Sequence, residues 1–317
     1  LVGSEMCIRD RASFAVLSMT SLTALATDLN ICYVKSPFNL QNIVMKENRM
    51  LENEFAGSDV KVIWHEINSG AKQAQALAAG ALDVSAVMNT ASLLLAVGVG
   101  NDLVIATGAA HPNRVFALVG KKGHNYSVKD LKGKTVAGPR GTVLHQMLVA
   151  ALKKEGMTMQ DIQFVSMDPP KAYAALVGNS VDAALLAAGL VVKANDAGMK
   201  TITTAEGLVK PNLVMVARRA YAEEHPDLLK RVVAVHRKAH AWINENKEKA
   251  LEMGAKAQGV SPEVAQKLFD WSSFYDVLTE DDIRGMEEDK RFLIENGLMR
   301  TKIRVDVRSL VMPEAMR

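Results

Sequence analysis

The sequence predicts an α/β protein of two similar lobes, each with a mostly parallel sheet, followed by a helical C-terminal third. Three observations carry this prediction. From residue 29 onward, short runs of β-forming residues alternate with segments of helical period, as βαβ units require. Two segments, AKQAQALAAGALDVSAV from Ala71 and PKAYAALVGNSVDAALL from Pro170, share one plan: a short helix, a stopping glycine (Gly80, Gly178), an acidic turn residue (Asp83, Asp182) and a strand of small residues. After about Arg218 the β-rich runs cease and only helical periodicity continues.

In order, 29–34 is expected to be a strand, 40–55 a helix, 60–65 a strand and 71–79 a helix. Residues 83–87 follow as a strand, 90–97 as a helix and 103–107 as a strand. In the second series, strands at 135–137 and 162–166 flank a helix whose apolar stripe is Leu144, Met147, Leu148, Ala151 and Leu152. Lys153 and Lys154 complement the dipole at its C-terminus, and Gly156 ends it. Residues 225–244 carry an apolar face through Leu228, Val232, Val235, Ala239 and Trp242. Ser261 with Pro262 opens the next helix, and Thr279 with Asp282 forms a capping arrangement for another. No low-complexity linker interrupts the chain, so the lobes should be joined by short hinge strands near 111–116 and 212–216. The expected division is 27–112 with 217–317 as the first lobe and 113–216 as the second.

The 317 residues are 49% hydrophobic and 23% charged, which excludes disorder as the main state and suits about two domains. A formal charge of +3 and an aromatic content of 5% give no footprint of nucleic-acid binding. With only Cys7 and Cys32, neither a disulfide framework nor a thiolate metal site is expected. Residues 1–26 stand apart. Leu1–Arg11 looks like translated adapter sequence foreign to the protein, and 14–22 reads as the apolar part of an export signal. Ala24-Leu25-Ala26 fits signal-peptidase cleavage, which predicts a mature start near Thr27 and a soluble periplasmic protein.

Several motif-like stretches fail on inspection. Lys132-Gly133-Lys134-Thr135 has the ending of a phosphate loop, but Val128 stands where its first glycine belongs and the stretch precedes a strand. Gly98-Val99-Gly100 lacks the third glycine of a dinucleotide fingerprint. Gly178-Asn179-Ser180-Val181-Asp182 lacks the second glycine of a nucleophile elbow. His236 and His240 have a zinc-compatible spacing with no third ligand, and a structural pair on a half-buried helix face is the simpler reading.

The informative positions are helix starts that follow strands: Ser69-Gly70, Asn89-Thr90 and Gly141-Thr142. Each presents unpaired N–H groups and partial positive charge, and several aimed into one cleft would hold an anion or polar acceptor. Open α/β sheets bind ligands at such carboxyl ends of strands.

At this point the chain resembles the solute-binding proteins of ABC importers, in the aliphatic sulfonate, taurine and nitrate group that also contains binders of thiamine-pyrimidine precursors. The carriers are the Ile31-Cys32-Tyr33 strand, NSGAKQAQALAAGALDVSAV from Asn68, SVKDLKGKTVAGPRGTVLH from Ser127 and GNSVDAAL from Gly178. RRAYAEEHPDLLKRVV from Arg218 and AHAWINENKEKAL from Ala239 complete the set. The resemblance implies the two-lobed, type II-like periplasmic-binding-protein fold, with the C-terminal helices returning largely to the first lobe. It also implies transport without catalysis or cofactor, hinge closure on a small solute, and a monomer that serves an inner-membrane permease. Carried over by position, the pocket would receive Tyr33, Ser69, Gly70, Asn89 and Thr90 from the first lobe. The second would contribute Arg140, Gly141, Thr142, His145 and Ala188. Sulfonate-type members resemble one another in a polar residue after the first-strand aromatic and in a Trp-Asp-Pro-like wall; Val34 and Ala187-Ala188-Gly189 stand there in this chain. The smaller wall implies a larger organic solute with an acidic or carbonyl group. The rival readings are a pyrimidine-synthase-like enzyme on the same scaffold and a ligand-sensing module. Such synthases carry a cysteine-rich stretch that this chain lacks.

Overall fold

The computed structural model describes residues 27–34, 38–112, 114–300 and 304–317. The segments expected to be an adapter-like leader and an export signal with its cleavage point, and Cys7, lie outside them.

The first series runs β1 (Thr27–Tyr33), α1 (Leu40–Glu47), α2 (Met50–Glu54), β2 (Val60–Glu66), α3 (Gly70–Ala78), β3 (Val84–Asn89), α4 (Thr90–Gly98) and β4 (Leu103–Ala110). The second runs β5 (Phe116–Gly120), β6 (Thr135–Gly138), α5 (Val143–Lys154), β7 (Gln163–Ser166), α6 (Pro169–Val177), β8 (Ala183–Ala187), α7 (Gly189–Asp196) and β9 (Lys200–Thr204). Then come β10 (Leu213–Arg218), α8 (Arg219–Glu224), α9 (Pro226–Glu245), α10 (Lys247–Gln258), α11 (Pro262–Ser272) and α12 (Glu280–Glu295).

Ten strands form two separate five-stranded sheets, ordered β2-β1-β3-β10-β4 and β7-β6-β8-β5-β9. Each sheet is parallel except for one crossing strand. β10 runs antiparallel to β3 and β4 in the first, and β5 antiparallel to β8 and β9 in the second. The chain thus leaves the first sheet after β4 and re-enters it at Leu213. The segments expected as hinges, 111–116 and 212–216, lead into β5 and β10, two interior strands with no exposed residue.

The two repeated segments occupy equivalent places, and the likeness extends to single atoms. Asp83 accepts from Asn30 N at 2.8 Å, its own N–H donates to Asn30 O at 2.9 Å, and Arg218 reaches its other oxygen at 2.7 Å. Asp182 accepts from Thr135 N at 3.0 Å, donates to Thr135 O at 2.9 Å, and meets Lys121 at 2.6 Å. In each lobe the acidic residue before the third strand pins it to the first, with a cation from a crossing strand or the residue after it completing the clamp.

Apolar clusters cover both faces of each sheet. One joins β1, β3, β4 and β10 to α1, α9, α10 and α11, and its opposite joins the same sheet to α3, α4 and α12. In the second lobe α5 packs on one face, α6 and α7 on the other. The C-terminal helices therefore pack on the first sheet. His236 is fully buried on α9 and donates through Nε2 to Gly108 O at 3.1 Å, whereas His240 lies 3.1 Å from Asp276, so the two serve separate structural contacts.

The single helix expected over 40–55 is two. Asn48 closes α1 and Arg49 turns left-handed (φ 52°), which re-aims the chain so that Leu51 and Phe55 are buried. Thr279 and Asp282 form the reciprocal capping box at α12, and Ser261 caps α11. Among the described residues no helix is long and apolar enough to cross a membrane.

Candidate functional site

A cavity of about 60 Å³ lies where the carboxyl ends of the two sheets face each other. The first lobe lines it with Val34, Asn68, Ser69, Gly70, Gln73, Val87, Met88, Asn89 and Leu213. The second lines it with Phe116, Pro139, Thr142, Val143, Leu144, Pro169 and Ala187. Among these residues none carries a formal charge, so any charged group entering here would be met by dipoles and hydrogen-bond donors.

Among the described residues four helices begin at this cavity; α6 starts there with Pro169, which has no N–H to offer, and α3, α4 and α5 differ in one respect. At α4 the Asn89 side chain caps the helix by accepting from Ser92 N at 2.9 Å. At α3 the N-cap is Ser69, extended at φ −135°, and its side chain makes no capping bond. At α5 the N-cap Thr142 is also extended, but its hydroxyl turns back to donate to Pro139 O at 3.1 Å and leaves the first turn uncapped. Among the described residues the first N–H groups of α3 and α5, from opposite lobes, thus have no capping side chain where they meet the cavity, and an acceptor oxygen placed there would supply the missing cap.

Glycine is required at both approaches. A Cβ on Gly70 would lie 2.5 Å from Asn89 Nδ2 and 2.6 Å from Ser92 Oγ. Gly141 adopts φ +70°, which lets the loop after β6 turn into α5. The lobes touch here: Ser92 Oγ donates to Gly141 O at 2.9 Å, and at the outer lip Lys72 Nζ lies 2.7 Å from Asp168 Oδ2.

Of the residues predicted to form the pocket, Ser69, Gly70, Asn89 and Thr142 line the cavity and the other six do not. Tyr33 is turned away by strand alternation. Its ring meets Trp64 edge-on at 6.1 Å with Lys46 over its face, its hydroxyl donates to Glu66, and Val34 takes the lining position. Thr90, the first residue of α4, is buried beside Asn89 with its hydroxyl 3.4 Å from Asp289. Arg140 is exposed with its guanidinium over Phe164, and it lines an adjoining outer groove with Lys72 and Lys171.

Gly141 and His145 support the site from below. His145 is buried against Phe164, and its Nδ1 accepts from Gly141 N at 3.3 Å, which bolts the loop to α5. Burial, then the nearby Arg140 charge, pushes this imidazole down to about 4, so it is neutral at pH 7.

Ala188 packs into the first lobe's core, with its N–H donating to Val115 O at 2.9 Å, while Ala187 faces the cavity. Its φ of +49° with ψ −124° is a conformation that L side chains rarely adopt. Ala188→Gly is therefore expected to gain roughly 1 kcal/mol, read by calorimetry as a melting point about 2 °C higher. A lower melting point would mean that the lost Cβ packing outweighs the strain.

Sequence reasoning missed the apolar walls, notably Phe116 and Leu213. Both sit on the crossing strands, and nothing in a five- or six-residue buried run distinguishes a strand bordering a cavity from one inside the core.

The family model described as NMT1/THI5 like matches residues 55–250. An aliphatic sulfonates-binding protein of Escherichia coli (strain K12), so named, is 27% identical over 81% of this chain and 79% of its own. The taurine-binding periplasmic protein of the same strain is 28% identical over 68% of this chain and 66% of its own. Among solved structures, the alkanesulfonate-binding protein SsuA of Xanthomonas axonopodis pv. citri bound to MOPS superposes with a TM-score of 0.79 at 24% identity, covering 90% of this chain and 98% of that one. The architecture is accordingly the periplasmic-binding-protein fold that the sequence resemblance implied.

Proposed function

The chain belongs to the NMT1/THI5-like family, and from that premise we propose that it is the extracytoplasmic solute-binding protein of an ABC importer. It captures a small organic solute with an anionic or carbonyl group by closing two lobes, releases it chemically unchanged, and presents the closed form to an inner-membrane permease. The observation that carries this reading is the pair of uncapped helix starts, α3 and α5, contributed to one cavity by opposite lobes. A ligand that bridges them contacts both lobes, and only such differential contact can shift an opening and closing equilibrium. The uncharged apolar walls suit the carbon part of the solute.

Within this reading Ser69, Gly70, Asn89 and Thr142 are ligand contacts, and Tyr33, Thr90, Arg140, Gly141, His145 and Ala188 act by support or at the rim. The lobes are those expected from the sequence, 27–112 with 217–317 and 113–216, except that 213–216 go to the first lobe with the rest of β10, which pairs with β3 and β4. The protein works as a periplasmic monomer after cleavage near Ala26.

A thermal-shift screen against sulfonates, nitrate, carboxylates, pyrimidines and purines tests the reading, because a ligand selective for the native state raises the melting temperature. The variant that tests the helix-start mechanism is Val143→Pro. Position 143 is the first residue of α5 and follows extended Thr142 (φ −132°, ψ 171°), so proline fits the backbone and removes only an orphan N–H. Measured against Val143→Ala, which carries the loss of the buried side chain, Val143→Pro should weaken binding of the active compound about tenfold with a nearly equal ligand-free melting point. Equal affinity in the two variants would refute the α5 contact.

A further inference from the structure

We propose that α12 is a closure clasp, with Asp289 as the positioning residue that holds the second lobe's cavity-lining helix against the first lobe. Asp289 lies on the first lobe and is 9% exposed. Its Oδ1 accepts from Gln146 Nε2 of α5 at 2.8 Å, and its Oδ2 from Thr90 Oγ1 of α4 at 3.4 Å. Gln146, 2% exposed, is two residues past Leu144, so the clasp grips α5 directly behind the turn that lines the cavity. One carboxylate thereby ties the start of α4 in its own lobe to the start of α5 in the other.

The same helix also holds the hinge. Asp282, two turns before Asp289, accepts at Oδ1 from His111 Nε2 at 2.7 Å and from Asn212 Nδ2 at 3.3 Å. His111 and Asn212 belong to the two segments by which the chain crosses between lobes. Tyr275 joins them, stacked on His111 with centroids 4.1 Å apart and donating to Asn212 Oδ1 at 2.5 Å. At a spacing of seven residues the two carboxylates share one face of α12. Asp282 fixes the pivot, and Asp289 engages the moving lobe.

Gln146 is withdrawn from Asp289 when the lobes part, so the bond contributes only to the closed form. Burial pushes the Asp289 carboxyl up to about 6 although the Gln146 bond opposes the rise, so the ionised form is held at a cost. An asparagine there keeps an acceptor for Gln146 and a donor for Thr90, and removes that cost.

The inference rests on the proposed lobe closure, and its test reads closure without a ligand. Spin labels at Glu47→Cys in the first lobe and Lys153→Cys in the second, both exposed sites, report the inter-lobe distance in the full chain carrying Cys7→Ser. The remaining Cys32 is buried, and burial pushes its thiol up to about 11, so it does not compete for label. Asp289→Ala and Gln146→Ala should each lower the closed-to-open ratio of ligand-free protein roughly tenfold. The double variant should lose no more than either single one, and Asp289→Asn should match or exceed the unaltered ratio. Identical distance distributions in Asp289→Ala, Gln146→Ala and the unaltered chain overturn the clasp. If the unaltered chain nevertheless shortens its distance with the compound active in the thermal-shift screen, only the clasp has failed; if no distance changes with variant or with that bound compound, lobe closure fails with it.

Discussion

Gly70→Ala is expected to melt several degrees lower and to lose the greater part of its ligand affinity, the largest effect of any single methyl group at the site. The added carbon would stand 2.5 Å from Asn89 Nδ2, 2.6 Å from Ser92 Oγ and 2.9 Å from Ser92 Cβ. Asn89 caps α4, and Ser92 makes the bond to Gly141 O across the cleft. Accommodating the methyl therefore disturbs a helix cap, worth about 1 kcal/mol, and forces overpacking that costs about 1–3 kcal/mol. It also moves the first turn of α3, whose N–H groups face the cavity. Gly254→Ala provides the comparison, since its Cβ would meet Phe38 Cζ at 2.5 Å on α10, outside the cavity lining. Calorimetry should show both variants destabilised. Titration with the compound found by the thermal screen should show affinity lost, on the order of tenfold or more, in Gly70→Ala alone. Comparable affinity in the two variants would mean that Asn89 and Ser92 re-seat without cost to the site, and α3 would lose its assigned role.

The contrast between these two glycines marks what was legible in the sequence. Gly70 opens a helix directly after a strand, and local signals of that kind survive into the structure. The repeated acidic turn residues Asp83 and Asp182, the Thr279 capping box and the uncapped start at Thr142 are other cases. What the residues did not reveal depends on direction and distance. Tyr33 and Val34 are neighbours whose side chains point to opposite faces, and a shift of one residue exchanges pocket and exterior. Ala188 belongs to the small-residue wall the sequence shows, but its positive φ turns it into the core and leaves Ala187 in the cavity. The hinges expected near 111–116 and 212–216 lead into β5 and β10, and the residues do not reveal that both strands pair inside the sheets with partners distant in sequence. Asp289 was invisible for the same reason: 143 residues separate it from Gln146, and on α12 alone it is one acid among several.

Acidification from pH 7 to pH 5 is expected to destabilise the protein, and Asp289→Asn should make that loss larger. His236 is fully buried, donates one ring nitrogen to Gly108 O and leaves the other without a partner among the described residues. Burial, against the pull of Asp276, pushes it down to about 4, the same value burial gives His145. Both folded values lie below the unfolded value near 6.5, so the unfolded chain binds more protons between pH 6.5 and 4. Their stabilising effect is complete above pH 6.5 and is lost as the pH falls toward 4, about 2 kcal/mol for each histidine by pH 5. Asp289 has the opposite sign. Its carboxyl is raised to about 6 from an ordinary value near 4, so the folded chain takes up the proton first and gains stability as the pH falls below 6, roughly 1 kcal/mol by pH 5. Glu288 beside it on α12 favours that uptake and Lys210 opposes it. The carboxylates held below their usual range, Asp130, Asp161, Asp182 and Asp282 among them, surrender stability only at lower pH, outside this window. Urea unfolding at pH 7, 6 and 5 should therefore show a loss of about 3 kcal/mol in the unaltered chain and about 4 kcal/mol in Asp289→Asn. A loss as large in His236→Gln as in the unaltered chain would remove His236 from this account, and a smaller loss in Asp289→Asn would reverse the sign assigned to Asp289. The acid that draws the lobes together in the closed form is thus also the group that spares the fold part of the cost of its buried histidines.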